Sequence, residues 1–408
     1  MKFLRKNKLN SPSDKSLRYI LLYKLFFIYF LPDSIAYVYL LDNGFQTFDF
    51  FLAASISSLA GFALEIPTGV YADKNGAKSS MLVATLSFLA ANIIFIFMGN
   101  SFWLLIIASF LIGVFKNFLS GADAGYIYLL LKQSGLEHEY TKIKGNIDAR
   151  LFYLTGVFSI FSGFFYEINH KLPYLLTSIF TGVSLLFLIQ CEDVREKEKK
   201  EKKDANILQS SIAYIKSSKY LQWFLLFTMF MTFILNGIIQ TYQMYFKEME
   251  IPVVYFGVIY SVFYFVSGLS SKLAYRLKYL KATVFLKLIL CLLLLTATSF
   301  LLTTRIVLLG VAVLVPRIII GVYPVLIQQF INDCVTQNRI TILSIREFAK
   351  QIPILFILPL FGYVLDRCGL TAGYYILTGC SALFVIALLW LYYNRIRKEN
   401  TYEHKARS

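Results

Sequence analysis

Apolar runs of eighteen or more residues recur along the whole chain, each long enough as a helix to cross a hydrocarbon core of about 30 Å. The short polar stretches between them mark twelve predicted spans, at 17–41, 46–72, 79–98, 102–131, 145–168, 172–190, 219–246, 253–277, 281–303, 305–335, 341–365 and 371–394. The span at 172–190 is the shortest, and those at 102–131 and 305–335 are long enough to tilt. One polar stretch differs from the others. From Glu192 to Asp204 the chain reads EDVREKEKKEKKD, a solvated mixed-charge run, and the segment up to Lys219 is able to form a short amphipathic helix. This run divides the spans into two sets of six: residues 1–190, a charged linker at 191–218, and residues 219–408 ending in a short basic tail.

Composition identifies the solvent of these helices. Hydrophobic residues make up 57% of the chain and charged residues 16%, against about 25% charged in soluble domains. Too few polar residues remain to cover a soluble surface, so the chain reads as a polytopic helical membrane protein. A net charge of +16 on a soluble protein would suggest nucleic acid. Here the excess lies on one side: Lys2 to Arg18, Lys74 and Lys78, Lys132, Lys142 and Lys144, Arg195 to Lys219, Lys272 to Lys281, Arg339, and Arg395 to Arg407. The opposite loops hold only Lys171, Lys247, Arg305 and Arg367. The positive-inside bias places both termini in the cytoplasm, predicts an even number of spans, and fits a multi-pass protein of the cell membrane. The first apolar segment is too long for a signal-peptide core and reads as an uncleaved span. Five scattered cysteines without CxxC spacing, and three histidines in loops or the tail, suggest neither a disulfide frame nor a metal site. No GxxxxGK[ST] run is present, and no cofactor is expected.

The halves repeat one another weakly. Gly163 and Glu167 close the fifth span as Gly362 and Asp366 close the eleventh. Aligning Ser120-Gly121 with Ile320-Gly321 sets Lys116 and Asn117 opposite Pro316 and Arg317. Such repeats mark secondary transporters, whose binding site lies between halves near the midplane.

The turn between the second and third spans carries the most recognisable spacing. Glu65 to Lys78 reads EIPTGVYADKNGAK, with a helix end near Tyr71, Asp73 where the helix dipole is negative, and Gly76 at a tight reversal. Gly69, Asp73, Lys74, Gly76 and Lys78 follow a G-x-x-x-D-[RK]-x-G-x-[RK] pattern, which resembles the corresponding loop of the major facilitator superfamily. Glu65-Ile-Pro67-Thr-Gly69, Ser120-Gly121 with Tyr128, Gly321-x-x-Pro324, Asn332, Arg339 to Ser344, and Gly362-x-x-x-Asp366 resemble its bacterial drug-efflux-like branch. Leu129 departs from that branch, which commonly has Asp there. The resemblance implies an all-α membrane protein with twelve transmembrane helices in two pseudo-symmetric six-helix bundles, moving a small molecule by alternating access. It also implies that the first, fourth, seventh and tenth spans line a central cavity.

Ionisable groups at membrane depth are costly and mark candidate sites. Lys24, Lys116, Arg150, Lys287, Arg317 and Lys350 are the basic residues read within spans, and Lys287 is close enough to an end to snorkel. Lys116 and Arg317 lie near mid-membrane. Asp33 is in the first span and Asp123 in the fourth, seven residues after Lys116, hence on one face of an uninterrupted helix about 10 Å apart. By the resemblance Asp33, Lys116, Asp123 and Arg317 converge in the cavity, as substrate or proton sites or as ion pairs that lock helices. Asn236, Gln240 and Gln243 share one face of the seventh span, and Gln328 and Gln329 add polar groups to the tenth. Asp148, Arg150, Arg339, Glu347 and Lys350 join Asp73 as an inner gate. Glu65, one turn before Gly69, either carries a proton or caps backbone opened by Pro67.

Asp33 is the first choice of proton carrier. The leading functional reading is proton-coupled efflux of an amphipathic compound or drug by a monomeric transporter whose partners are its small-molecule substrate, protons and the lipid bilayer. Lys116 and Arg317 support an alternative: symport or export of an anionic metabolite or peptide. A membrane enzyme or a scaffold is the remote alternative, since no His lies in a span and neither HExxH nor GxGD occurs.

Overall fold

A computed structural model describes residues 12–27, 31–136, 140–194, 213–274, 295–296, 314–323 and 339–391. Among them the secondary structure is helical throughout. The helices are α1 (Pro12–Phe26), α2 (Ala36–Asp42), α3 (Thr47–Asn75), α4 (Ala77–Phe97), α5 (Phe102–Leu119), α6 (Ala122–Gln133), α7 (Tyr140–Ile168), α8 (Leu172–Gln190), α9 (Lys219–Glu248), α10 (Val254–Ala274), α11 (Leu314–Tyr323) and α12 (Arg339–Leu391). Eight spans among the described residues are long and apolar enough to cross a membrane. Nearly all of the predicted span at 281–303, most of that at 305–335, most of the linker, Lys287, Gln328, Gln329 and Asn332 lie outside the described residues.

Two predicted spans are broken, and in both the punctuation is local. The first, expected as one helix over 17–41, gives α1 and α2 separated by a turn at 31–35. Pro32 disfavours helix at Leu31 and has no N–H to donate, and its carbonyl accepts from the Ile35 amide at 3.0 Å. The fourth gives α5 and α6, parted at Ser120–Gly121 where Gly121 takes φ +76°, a left-handed conformation that glycine adopts without steric cost. Lys116 and Asp123 therefore do not share one continuous helix face, as the sequence spacing predicted. Gly369, at φ 78° and ψ 175°, breaks α12 between the two spans expected at 341–365 and 371–394. α3 runs to Asn75, a turn past the expected end, and Gly76 then reverses the chain at φ 86°.

The chain divides into two compact units. One is Met1–Lys199 with Phe246–Phe265; the other is Lys200–Tyr245 with Val266–Ser408. In the first unit a core of Leu17, Ile20, Tyr23, Met81, Tyr126, Ile127, Leu130 and Leu188 extends into Cys191 and Val194 just past α8. Lys78 ties the start of α4 to that end of α8 by donating to the Ile189 carbonyl at 2.8 Å and to that of Cys191, where a cation suits the helix C-terminus. Burial pushes the Cys191 thiol up to about 11, so it stays protonated at neutral pH.

α7 and the first part of α10 touch backbone to backbone. A Cβ built on Gly257 would lie 2.1 Å from the Ser159 carbonyl oxygen, and one on Gly163 would lie 2.2 Å from that of Val253. Small residues permit such an approach between membrane helices. Gly163→Val is expected to force the pair apart and cost at least about 1–3 kcal/mol, seen as a fall in folded yield and melting temperature in detergent. Gly182→Ala, with open space at its Cβ, should leave both unchanged.

The repeat also changes register once packing is visible. Gly321 of α11 sits against Ser267 and Ser270 of α10, and Gly113 of α5 sits against Ser57 and Ala60 of α3. By environment Gly321 matches Gly113 and not Gly121, which has open space around it.

Candidate functional site

The break in the first span presents a carboxylate. Asp33 lies in the 31–35 turn with an exposed side chain, and its Oδ2 accepts a hydrogen bond from the Tyr264 hydroxyl of α10 at 2.9 Å. α7 holds the turn from behind: Ser34 donates to Ser162 Oγ at 2.9 Å, and the Ser162 hydroxyl donates to the Leu31 carbonyl. Lys116, in the last turn of α5, lies within electrostatic reach of Asp33. Its side chain is exposed. Tyr174 of α8 also feels the Asp33 charge. The contact seen at Asp33 is thus with a phenol, Tyr264, from a distant helix.

Asp123 belongs to a different pair. Lys24 Nζ donates to Asp123 Oδ2 at 2.6 Å, with side-chain exposures of 9% and 21%. Lys24 is in the last turn of α1 and Asp123 in the first turn of α6. Each charge has the sign its helix end favours, and Asp123 Oδ1 also accepts from the Ala124 amide at 2.7 Å. The pair joins the ends of helices that border the two broken spans.

In the second unit Arg317 is 7% exposed, its guanidinium carbon 5.3 Å from the centre of the Tyr242 ring, a cation–π contact. Ser267 donates to the Arg317 carbonyl at 3.1 Å. On α9 Asn236 and Gln240 are half-buried and Gln243 is buried, and Asn236 Nδ2 donates to the Thr232 carbonyl at 2.8 Å.

A family model described as Major Facilitator Superfamily matches residues 22–341. The chain belongs to the major facilitator superfamily. Its fold is similar to that of a crystallised mutant of the nucleoside transporter NupG, with a TM-score of 0.70 and 14% identity over 93% of this chain and 100% of that one. A second NupG crystal structure gives 0.65 and 13% over 93% and 98%. Identities this low speak of the fold alone. No curated protein matches the chain. Family and fold make this a multi-pass membrane transporter of a small molecule; they leave the drug-efflux branch open.

The remaining positions singled out by the superfamily resemblance are scattered over several elements. Glu65 is half-buried in α3, Gly69 and Lys74 are exposed, and Asp73 lies on the last turns of the same helix. The side chains of Asp73, Asp148, Arg150 and Arg339 are outside the description; Asp148 and Arg150 lie on α7, and Arg339 begins α12. Glu347 accepts from Lys350 at 2.7 Å and from Arg346 at 3.1 Å. Arg346 was not singled out. It is 6% exposed and faces Tyr323 of α11, and an arginine inside an apolar run is a signal that sequence alone supplies. Tyr264 has no such signal, because one tyrosine among 28 becomes notable only through its partner on another element.

Proposed function

We propose that this superfamily member is a proton-coupled secondary transporter in which Asp33 carries the proton and Lys116 answers to its charge. The observation that supports this is the exposed Asp33 carboxylate at a helix break, beside an accessible lysine and under a tyrosine hydroxyl. Ionised Asp33 engages the Lys116 ammonium. Protonation removes that anion and leaves Lys116 to seek another acceptor, which a solute bearing a negative charge or strong hydrogen-bond acceptors supplies. Proton and solute then bind in the same state, which is symport. A cationic amphipathic drug, the substrate expected of the efflux reading, would be repelled by the Lys116 ammonium. The likeness to a nucleoside transporter adds nucleosides to the candidates, because they are acceptor-rich and carry a ring. The bias of Lys and Arg supports a cytoplasmic location for both termini.

Proteoliposomes with an imposed pH gradient test the direction and the class together. With acid outside, a radiolabelled nucleoside or small carboxylate is expected to accumulate up to about tenfold per pH unit at one proton per solute. Outward pumping of a cationic dye under the same gradient would establish antiport instead. Indifference of every solute to the gradient would exclude proton coupling.

A further inference from the structure

We infer that Arg346 is the centre of an oxyanion-binding site in the second unit, one that takes the carboxylate or phosphate group of a small free anion or of a lipid headgroup. It belongs to a different unit from Asp33 and Lys116, and the inference does not depend on the reading of Asp33 as the proton carrier.

Arg346 lies seven residues past the start of α12 at Arg339, about 10 Å along the axis. It is buried, and it faces the equally buried Tyr323 of α11. A guanidinium carries five N–H donors, and taking it out of water is costly unless acceptors meet them. The hydrogen bond seen for it runs from Nη1 to Glu347 Oε1 at 3.1 Å. Its Nε is sealed from solvent and meets no acceptor among the described residues, and the Tyr323 hydroxyl is likewise sealed without a hydrogen-bond partner. Glu347 serves Arg346 poorly, for two reasons. Adjacent residues on a helix point to different faces, so the contact is made at the reach of a side chain that is 44% exposed. The same carboxylate is held more closely by Lys350, at 2.7 Å and a favourable i,i+3 spacing. Two cations thus share one carboxylate, and this group of three keeps a surplus positive charge. Glu347 stands in the place of an external oxyanion and can yield it while staying paired with Lys350. An incoming carboxylate or phosphate supplies the two oxygens that a guanidinium binds side by side, and offers an acceptor to the Tyr323 hydroxyl. The neighbours on α9 do not compete for it. Phe227 packs its ring 6.1 Å from that of Tyr323, and the Thr228 hydroxyl is committed to the Phe224 carbonyl at 2.9 Å.

The test reads occupancy and needs no transport. Full-length protein in mild detergent, stripped of lipid, is melted while inorganic phosphate or succinate is titrated against chloride at constant ionic strength. A bound anion is expected to raise the melting temperature by about 3 °C or more at a hundred times its dissociation constant. The rise should saturate, whereas general exclusion of phosphate from the protein surface stabilises in steady proportion to concentration. Arg346→Gln is expected to abolish the saturable part, and its fold is spared because Glu347 keeps Lys350. Glu347→Gln removes the internal competitor and should lower the half-saturating concentration about tenfold. A second arm identifies the source of the anion. Native mass spectrometry of protein purified with its lipids shows a phospholipid that Arg346→Gln releases if the group is a headgroup phosphate. A saturable response to phosphate or succinate without such a lipid marks a free anion. Absence of both from the wild type, or their persistence in Arg346→Gln, overturns the inference. If Arg346→Gln does not fold, Glu347→Gln decides: tighter binding of the anion or the lipid supports the site, and unchanged or weaker binding overturns it.

Discussion

Asp33→Asn is expected to bring gradient-driven accumulation down from about tenfold per pH unit to none, with the protein still inserted and folded. The amide is nearly isosteric with the carboxylate, and its oxygen can still accept from Tyr264. It cannot ionise, so it offers no partner for Lys116 in either direction of the cycle and carries no proton. Solute exchange at equal pH on both sides should persist, because exchange needs the binding groups and not the coupling step. Lys116→Met tests the other half of the pair. It removes the acceptor-seeking cation, so it should weaken solute binding and leave Asp33 free to titrate. The measurement is uptake in proteoliposomes with and without a pH gradient, for each variant at matched protein density. Full gradient-driven accumulation by Asp33→Asn would transfer the proton to another group. Glu65, half-buried in α3 beside Pro67, is the next carboxylate to test.

Hydropathy made most of the helices legible and concealed the two that matter most for the site. The span expected at 172–190 is α8, Leu172–Gln190, and those at 46–72 and 79–98 differ from α3 and α4 by three residues or fewer. Apolar length governs these, and length is what a sequence displays directly. The first and fourth spans fail the same treatment because Leu31-Pro32 and Ser120-Gly121 sit inside apolar runs, where an average over the run passes across them. Both are ordinary stop signals. The second of them, Ser120-Gly121, is what parts Lys116 from Asp123. That charges at membrane depth need partners was legible, but which charge meets which was not. That Lys24 and not Lys116 engages Asp123 was not legible, because the register between α1 and α6 is set by side-chain packing around Tyr23, Tyr126 and Ile127. The polar face of Asn236, Gln240 and Gln243 follows from spacing, whereas the Arg317–Tyr242 contact depends on how α9 and α11 pack.

Removing one member of the Lys24–Asp123 pair should be among the most destabilising changes in the first unit. With Lys24 at 9% exposure and Asp123 at 21%, truncating either leaves a largely desolvated charge without its counterion, at a cost of about 3 kcal/mol or more. The penalty is smaller when Asp123 is the charge left behind. The α6 N-terminus and the Ala124 amide still stabilise its carboxylate after Lys24→Met, by about 1 kcal/mol. Asp123→Leu leaves Lys24 at the C-terminal end of α1, where open carbonyls give similar but weaker compensation. Both single variants are therefore expected to melt several degrees below the wild type in mild detergent. The double variant Lys24→Met with Asp123→Leu should recover most of the loss, since apolar replacement of a whole buried pair is commonly close to neutral. Losses that simply add would mean that the two charges do not stabilise one another. The same double variant separates lock from transport site. If it folds and transports, the pair fastens the ends of α1 and α6 and takes no part in the cycle. If it folds and is inactive, Asp123 lies on the transport path, as the resemblance to the superfamily's cavity-lining spans implies. The ion pair would then open and close with each turnover, for which its place between two helix breaks suits it.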